Sequence, residues 1–562
     1  MNIWKTAPVS FADARRDLAE WRAGFPQDPF AADAPLRALL DRALPADRMS
    51  ALARGASRFG EAVVDTVGPA CARYEHRAHL PELARYDGIG RRIEAVRFDA
   101  DYHRAGAAVW SSGLVAESGT PGRAYEQATL LYLLSLEGEA GHACPAVCTI
   151  GLARALRRAA DPDIRDRFLP PLLETDYAQA QRGSQFLTEV QGGSDVGANA
   201  TIARPRADGS YSITGEKWFC SVADAQQFLV TARVQDGPPG TRGLGCFVIP
   251  RLLDGEPNGF AVRRLKEKLG TRGMASGEID LDESRAWPIG PVENGFRTAV
   301  GVVLNTSRWM TAIGSTGMMR RAYLEASAYA HHRRAFGSPI DAFPSTRATI
   351  AQLRVAWLGA LHLVFALTEL EDRIDSARAD DEITVYHRFL VNATKYALSV
   401  DATAAVRSAI EVLGGNGTIE DFSVLPRLYR DSIVYESWEG THNVLVAQVL
   451  ADLHRLPIID VVAERIGKLC SSSASPVADR AHAELDRALG DMRRSVTDAD
   501  FGARHFRSVL DRVLVVARVA CLLDGGEHLA ADHLLRAGVG ERPQDDAGYA
   551  ARVDSLAGAA GQ

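Results

Sequence analysis

The chain has 562 residues, 46% of them hydrophobic and 24% charged, with a net charge of −7. That describes a globular chain long enough for several domains, and it speaks against nucleic acid or an anionic membrane as the main partner. The seven cysteines are odd in number and lack zinc-ribbon spacing, so reduced thiols and no metal site are expected.

Between Met1 and Trp21, the charges at Lys5, Asp13, Arg15, Arg16 and Asp17 leave no apolar core, so no secretory signal is expected and the expected compartment is the cytoplasm. From about 10 to 180 the period is helical, and Ala128 to Leu136 is apolar nearly all round, as a buried helix is. From about 183 to 290 the texture changes to strands. Ala200–Arg204, Asp208-Gly209 and Tyr211–Thr214 read as a hairpin, and Gln227–Val234, Leu244–Ile249 and Gly277–Leu281 as further strands. From about 291 the helical period returns, with Ala312, Thr316, Met319, Tyr323, Ala326 and Ala330 on one face. A second long helix is expected from Ile383 to Leu413, stopped by Gly414 and Gly415. After a loop at Ser471–Pro476, Ala478 to about Ala537 reads as helical. The apolar run Val513–Leu523 is too short to span a bilayer and is broken by Arg518, so no membrane partner is expected. Helices, a β insert and helices again make an α+β chain, mostly α.

Two segments suggest chemistry. In Phe186-Leu-Thr-Glu-Val-Gln-Gly-Gly-Ser-Asp-Val196, glycines between hydroxyl residues can present N–H and O–H groups to a flavin edge or a phosphate; a plain glycine loop fits equally well. In Tyr435-Glu-Ser-Trp-Glu-Gly-Thr-His-Asn443, Glu439 stands beside Trp438 and Gly440. Burial there would raise its carboxyl pKa and suit it to abstract a proton; the alternative is a structural carboxylate paired with an arginine.

Taken in order, these and further segments resemble the acyl-CoA dehydrogenases. Gly215-Glu-Lys-Trp-Phe-Cys-Ser221, Leu265–Arg272, Arg333-Arg-Ala-Phe-Gly337, Glu411-Val-Leu-Gly-Gly-Asn-Gly417 and Trp438–Thr441 follow the family's order. Pro81–Phe98 and Glu139–Pro145 resemble the N-terminal domain of its AidB-like branch. The resemblance implies an acyl-CoA dehydrogenase fold: an N-terminal helical domain (1–182), a central β-barrel (183–290), a C-terminal helical bundle (291–455) and an additional helical domain (456–562). It implies FAD, an acyl thioester on coenzyme A or a carrier protein, an electron-transfer flavoprotein or other acceptor, and a homo-oligomer, typically a tetramer. Glu439 is then the base, with Arg308 beside it. The expected flavin contacts are Phe186, Thr188, Gly193, Ser194, Trp218, Phe219, Ser221, Arg333, Phe336, Gly414, Gly415, Thr441 and Asn443, of which Arg333 and the Gly414-Gly415 turn would act across a subunit boundary.

Two positions depart from the commonest pattern of that family. Phe219 and Ser221 stand where most members have tryptophan and threonine; an aromatic face and a hydroxyl are both kept. Ser307 precedes Arg308 where some members place their base, which leaves Glu439 as the aligned candidate. The AidB-like resemblance carries a second reading, in which the C-terminal extension binds double-stranded DNA and the flavoprotein turns over little or nothing. Residues 451 to 562 hold 14 Lys/Arg against 17 Asp/Glu, and the cluster Arg493, Arg494, Arg504, Arg507, Arg512 and Arg518 is interspersed with aspartates. A salt-bridge-laced surface is the simpler expectation.

Overall fold

A computed structural model describes residues 10–538 and 548–557. Part of the charged N-terminal stretch and parts of the last expected domain lie outside these residues. The chain forms two compact units: one from Arg58–Met310 with Ser437–Thr441, the other from the residues up to Ser57, Thr311–Glu436 and those from His442 on.

The first-named unit, the barrel unit, is built on a seven-stranded sheet. Its strands run in the order Phe260–Leu265, Ser276–Pro288, Tyr211–Ser221, Ile202–Pro205, Gln227–Val234 and Gly183–Phe186. Leu244–Pro250 pairs with both Gln227–Val234 and Ser276–Pro288, which closes the sheet on itself and leaves few edges. The hairpin read at Asp208-Gly209 is present, with Pro205 opposite Tyr211 and Gly209 at φ +80°. Gln227–Val234 reads as a continuous apolar run because both of its faces are covered. Phe228, Val230 and Ala232 face one core with Phe186, Ile213, Phe247 and Ile279, while Leu229 faces another with Leu152, Leu156 and Val248. The helix Ala143–Ala159 supplies Cys144 and Cys148 to the first core and Leu152, Ala153, Ala155 and Leu156 to the second.

Every residue of the helix Ala124–Leu134 is buried, as its all-round apolar pattern predicts. The N-terminal region is not wholly helical, however. Glu82–Tyr86 and Arg92–Arg97 form an antiparallel hairpin. Its turn is made by Asp87, whose carboxylate accepts from the amides of Ile89 and Arg91 at 3.0 and 2.9 Å, with Gly90 at φ +81°.

The second unit is helical. Asn305–His332, whose first turns belong to the barrel unit, is preceded by a π-helical segment, Ala299–Leu304. The residues expected on one face of this helix are all buried, but so are most others between Thr306 and Arg320, so there is no exposed stripe along that stretch. Pro344–Asp375 is a long helix that the sequence reading passes over. By length and composition it is apolar enough to cross a membrane, and 78% of its most apolar window is buried inside the structure, as befits a core helix. Asp381–Leu413 follows, N-capped by the Asp380 carboxylate on Ile383 N at 2.7 Å and ended by Gly414 at φ +63°. The stretch expected as helical from Ala478 to about Ala537 is three helices rather than one: Pro476–Thr497, Ala499–Asp524 and His528–Gly538. Ser475 and Asp498 cap the first two.

Candidate active site

Helix Leu425–Ser437 ends and helix His442–Leu453 begins with only four residues between them, Trp438, Glu439, Gly440 and Thr441. So tight a turn needs left-handed backbone. Glu439 supplies it at φ +58° and Gly440 at φ +107°. A non-glycine residue held there costs about 1 kcal/mol, and such residues concentrate at functional sites. Arg308, 4% exposed, donates from Nε to the main-chain carbonyl of Glu439 at 3.0 Å. The expected neighbourhood of Arg308 and Glu439 is therefore real, and it includes a grip on the backbone of the turn. Burial sets Arg308 apart from a plain surface arginine. Ser307 donates to Gln185 Oε1 at 3.3 Å.

Trp438 packs against the barrel core that contains Cys144 and Cys148. These two cysteines, one helical turn apart, bring their sulfurs to 3.8 Å. The hydrogen bond with Cys144 pushes the Cys148 thiol up, and burial and the charges of Cys144 and Glu439 add to this.

Thr188, Gly193 and Ser194 occupy the loop after strand Gly183–Phe186. Trp218 N donates to Thr188 O at 2.9 Å, which ties the loop to strand Tyr211–Ser221. Gly193 is required by space, since a Cβ there would come within 2.6 Å of Thr188 Oγ1. On the strand, Trp218 and Phe219 lie on opposite sides. Lys266 Nζ sits 3.5 Å from the centroid of Trp218 and 4.9 Å from that of Phe219, which is 55% exposed. Ser221, half-buried, stands opposite Ser276. Phe186 departs from expectation. It is fully buried, packed at a tilt against Phe228 with ring centroids 4.9 Å apart, and its side chain has no surface left to offer a cofactor. The reason is strand parity: Phe186 points to the barrel core with Phe228.

A residue pair missed by the sequence reading fixes this loop. Lys217 Nζ donates to Glu189 Oε1 at 2.7 Å, both side chains being buried. Glu189 also accepts from Ala200 N at 2.6 Å and Thr201 N at 3.2 Å. Burial works to raise the Glu189 pKa, but Lys217 and these donors hold it below its usual value. The only signal in the sequence was a Lys and a Glu inside the two flavin-like segments.

In the helical unit, Arg333 follows the end of Asn305–His332 and is exposed. Among the described residues its guanidinium has no hydrogen-bonding or ionic partner. Arg334 instead donates to Gly337 O at 3.0 Å. Phe336 is at φ +53° and 53% exposed. Gly414 and Gly415 are exposed with open space where a Cβ would be. Thr441 and Asn443 are exposed at the start of the last bundle helix. Within the barrel unit, the half-exposed ring of Phe219 and the hydroxyls of Thr188, Ser194 and Ser221 suit a flavin ring; within the helical unit, the exposed Arg333 and the open glycine turn suit a diphosphate.

Three family models match the chain: the adaptive response protein AidB N-terminal domain over 24–179, the acyl-CoA dehydrogenase middle domain over 184–284, and the acyl-CoA dehydrogenase C-terminal domain over 293–454. AidB of Escherichia coli (strain K12) is 34% identical over 388 residues, 67% of this chain and 69% of that protein. Acyl-CoA dehydrogenase family member 11 of Caenorhabditis elegans is 30% identical over 438 residues, 75% of this chain and 70% of that one. Among solved structures, Caenorhabditis elegans ACDH-11 in complex with C11-CoA superimposes with a TM-score of 0.85 at 25% identity, covering 94% of each chain.

Proposed function

From a chain that belongs to the acyl-CoA dehydrogenase family, in its AidB-like branch, we propose α,β-dehydrogenation of an acyl thioester with FAD as cofactor and Glu439 as the base. Bound FAD supplies the acceptor, at N5, for the β-hydride. Glu439 takes the α-proton, and its main-chain N–H polarises the thioester carbonyl. Arg308 fixes the turn that presents both groups. Phe219 forms the stacking face, Thr188, Ser194 and Ser221 the polar edge, and Arg333 with Gly414 and Gly415 the diphosphate contacts. The observation that carries this reading is the left-handed Glu439, held through its carbonyl by the buried Arg308.

The domains run as 1–182, 183–290, 291–455 and 456–562. The assembly is a tetramer, the compartment the cytoplasm, the substrate carried on coenzyme A, and the acceptor an electron-transfer flavoprotein. DNA binding is not part of the proposal, because four of the six arginines it would use are engaged within the chain. Arg504 pairs with Asp500, Arg512 with Asp491 and Arg518 with Asp401, while Arg507 donates to Tyr396.

The test is an anaerobic titration of the purified yellow protein with butyryl-, isovaleryl- and 3-phenylpropionyl-CoA, followed by flavin absorbance. Bleaching by at least one thioester is expected. A colourless protein that added FAD does not reconstitute, or a flavin that none of the three reduces, overturns the reading. Light scattering is expected to give a tetramer.

A further inference from the structure

The residues flanking the Glu439 turn are themselves paired. Glu436, in the last turn of one helix, and His442, the first residue of the next, meet at 2.9 Å between Oε2 and Nε2. This contact closes the ends of the turn like a clasp. The main-chain carbonyl of Glu436 accepts from the buried Lys395 Nζ at 3.1 Å, so the first end of the clasp is anchored to helix Asp381–Leu413.

The next residue on that helix, Tyr396, touches the other end. Its ring lies edge-on to His442, with centroids 5.4 Å apart and planes at 63°. Tyr396 is buried, and its hydroxyl is committed to the extension. It donates to Asp511 Oδ1 at 2.8 Å and accepts from Arg507 Nε at 2.9 Å, and the Arg507 guanidinium also lies 5.2 Å from the ring centroid. Asp511 and Arg507 are one turn apart on helix Ala499–Asp524. Burial, and then Asp511, push the Tyr396 phenol up to about 12, which keeps it a neutral donor. A continuous chain of contacts therefore runs from the extension through Tyr396 to His442 and Glu436.

We propose that His442 and Glu436 are positioning residues for the Glu439 turn, and that the C-terminal extension holds them in place through Arg507, Asp511 and Tyr396. The strain of left-handed backbone at Glu439 persists only when the surroundings over-determine it, and the clasp supplies that constraint from the helix ends as Arg308 does from the carbonyl. A function follows for the extension that needs no ligand of its own: it sets the rigidity of the turn that carries the base.

The proposal rests on the reading of Glu439 as base for its catalytic consequence, but its test does not depend on turnover. Hydrogen–deuterium exchange is measured on the full-length, FAD-loaded protein, comparing the amides of 438–441 with those of the barrel strand 227–234. His442→Ala is expected to speed exchange in the turn by about tenfold and leave the barrel strand unchanged. His442→Gln, whose amide can still donate to Glu436, should return the turn to within about threefold of the parent. Tyr396→Phe and Arg507→Ala should each speed it by about threefold. Turn exchange within about twofold of the parent in His442→Ala overturns the clasp, and Glu436→Ala, which removes the acceptor, decides the same point should that variant fail to fold. Parent-like exchange in both Tyr396→Phe and Arg507→Ala overturns the link to the extension. A loosened turn in His442→Ala together with an undiminished flavin reduction in Glu439→Gln would leave the clasp standing and fault the base assignment instead.

Discussion

The loop that follows strand Gly183–Phe186 and the turn that carries Glu439 are held in opposite ways. The first is fixed from inside by the buried Lys217–Glu189 pair, with Glu189 also taking two backbone amides. The second is held from its ends by the partly exposed Glu436–His442 pair, and from one side by a single arginine on its carbonyl. A buried pair with every lone pair committed makes a rigid wall, costly to disturb and suited to holding a flat ring. A partly solvated clasp gives way for much less. The proposed cofactor wall and the proposed base thus sit on supports of different stiffness.

The largest effect expected is at the softer element. Glu439→Gln should retain flavin and fold while slowing thioester-dependent flavin reduction about 10²- to 10⁴-fold in stopped-flow absorbance. An equal rate would remove the distinction between wall and base. Next, Glu189→Ala should cost about 3–5 kcal/mol in denaturant unfolding, because Lys217 is left charged and buried, and flavin content should fall with it. Replacing both partners by apolar residues (Glu189→Leu with Lys217→Met) should recover much of that loss; if it does not, the pair does more than satisfy itself.

Acid offers a third probe, aimed at the barrel unit. Burial lowers the His142 pKa to about 3, its ring stacking on Tyr102 with Nε2 against the Tyr102 carbonyl at 2.8 Å. The unfolded chain, with a histidine pKa of about 6.5, binds the proton that the folded state refuses. His142 therefore contributes stability that is complete above that value and is lost as pH falls toward 3, by up to about 1 kcal/mol per pH unit. His142→Phe should flatten the decline in Tm between neutral pH and about pH 4.5 relative to the parent. An unchanged slope would show that the ring is not held neutral. The smallest effect belongs to the extension surface. Arg504→Ala removes an exposed pair with Asp500 and should shift stability by no more than about 0.5 kcal/mol, checked by thermal melting.

The order of elements was legible because period and punctuation are local. Alternation gave the barrel strands, the 3.6 repeat gave the long helices, and Gly414 marked a helix end by its need for positive φ. The hairpin at Glu82–Arg97 and the helix Pro344–Asp375 were less visible. The first is short and rich in arginine; the second is apolar over so much of its surface that periodicity fades. Phe186 illustrates the same limit at a site. A motif names a residue, but strand parity decides whether its side chain faces ligand or core. The sequence by itself determined the family, through segments whose spacing and order leave little choice, and through them the flavin-like site. Only the tertiary structure decided what supports that site. Glu189 with Lys217, Arg308 with the Glu439 carbonyl, and His442 with Tyr396 and Arg507 are contacts between residues distant in the chain. Electrostatic and hydrogen-bond complementarity of that kind depends on position in space, which no local pattern records.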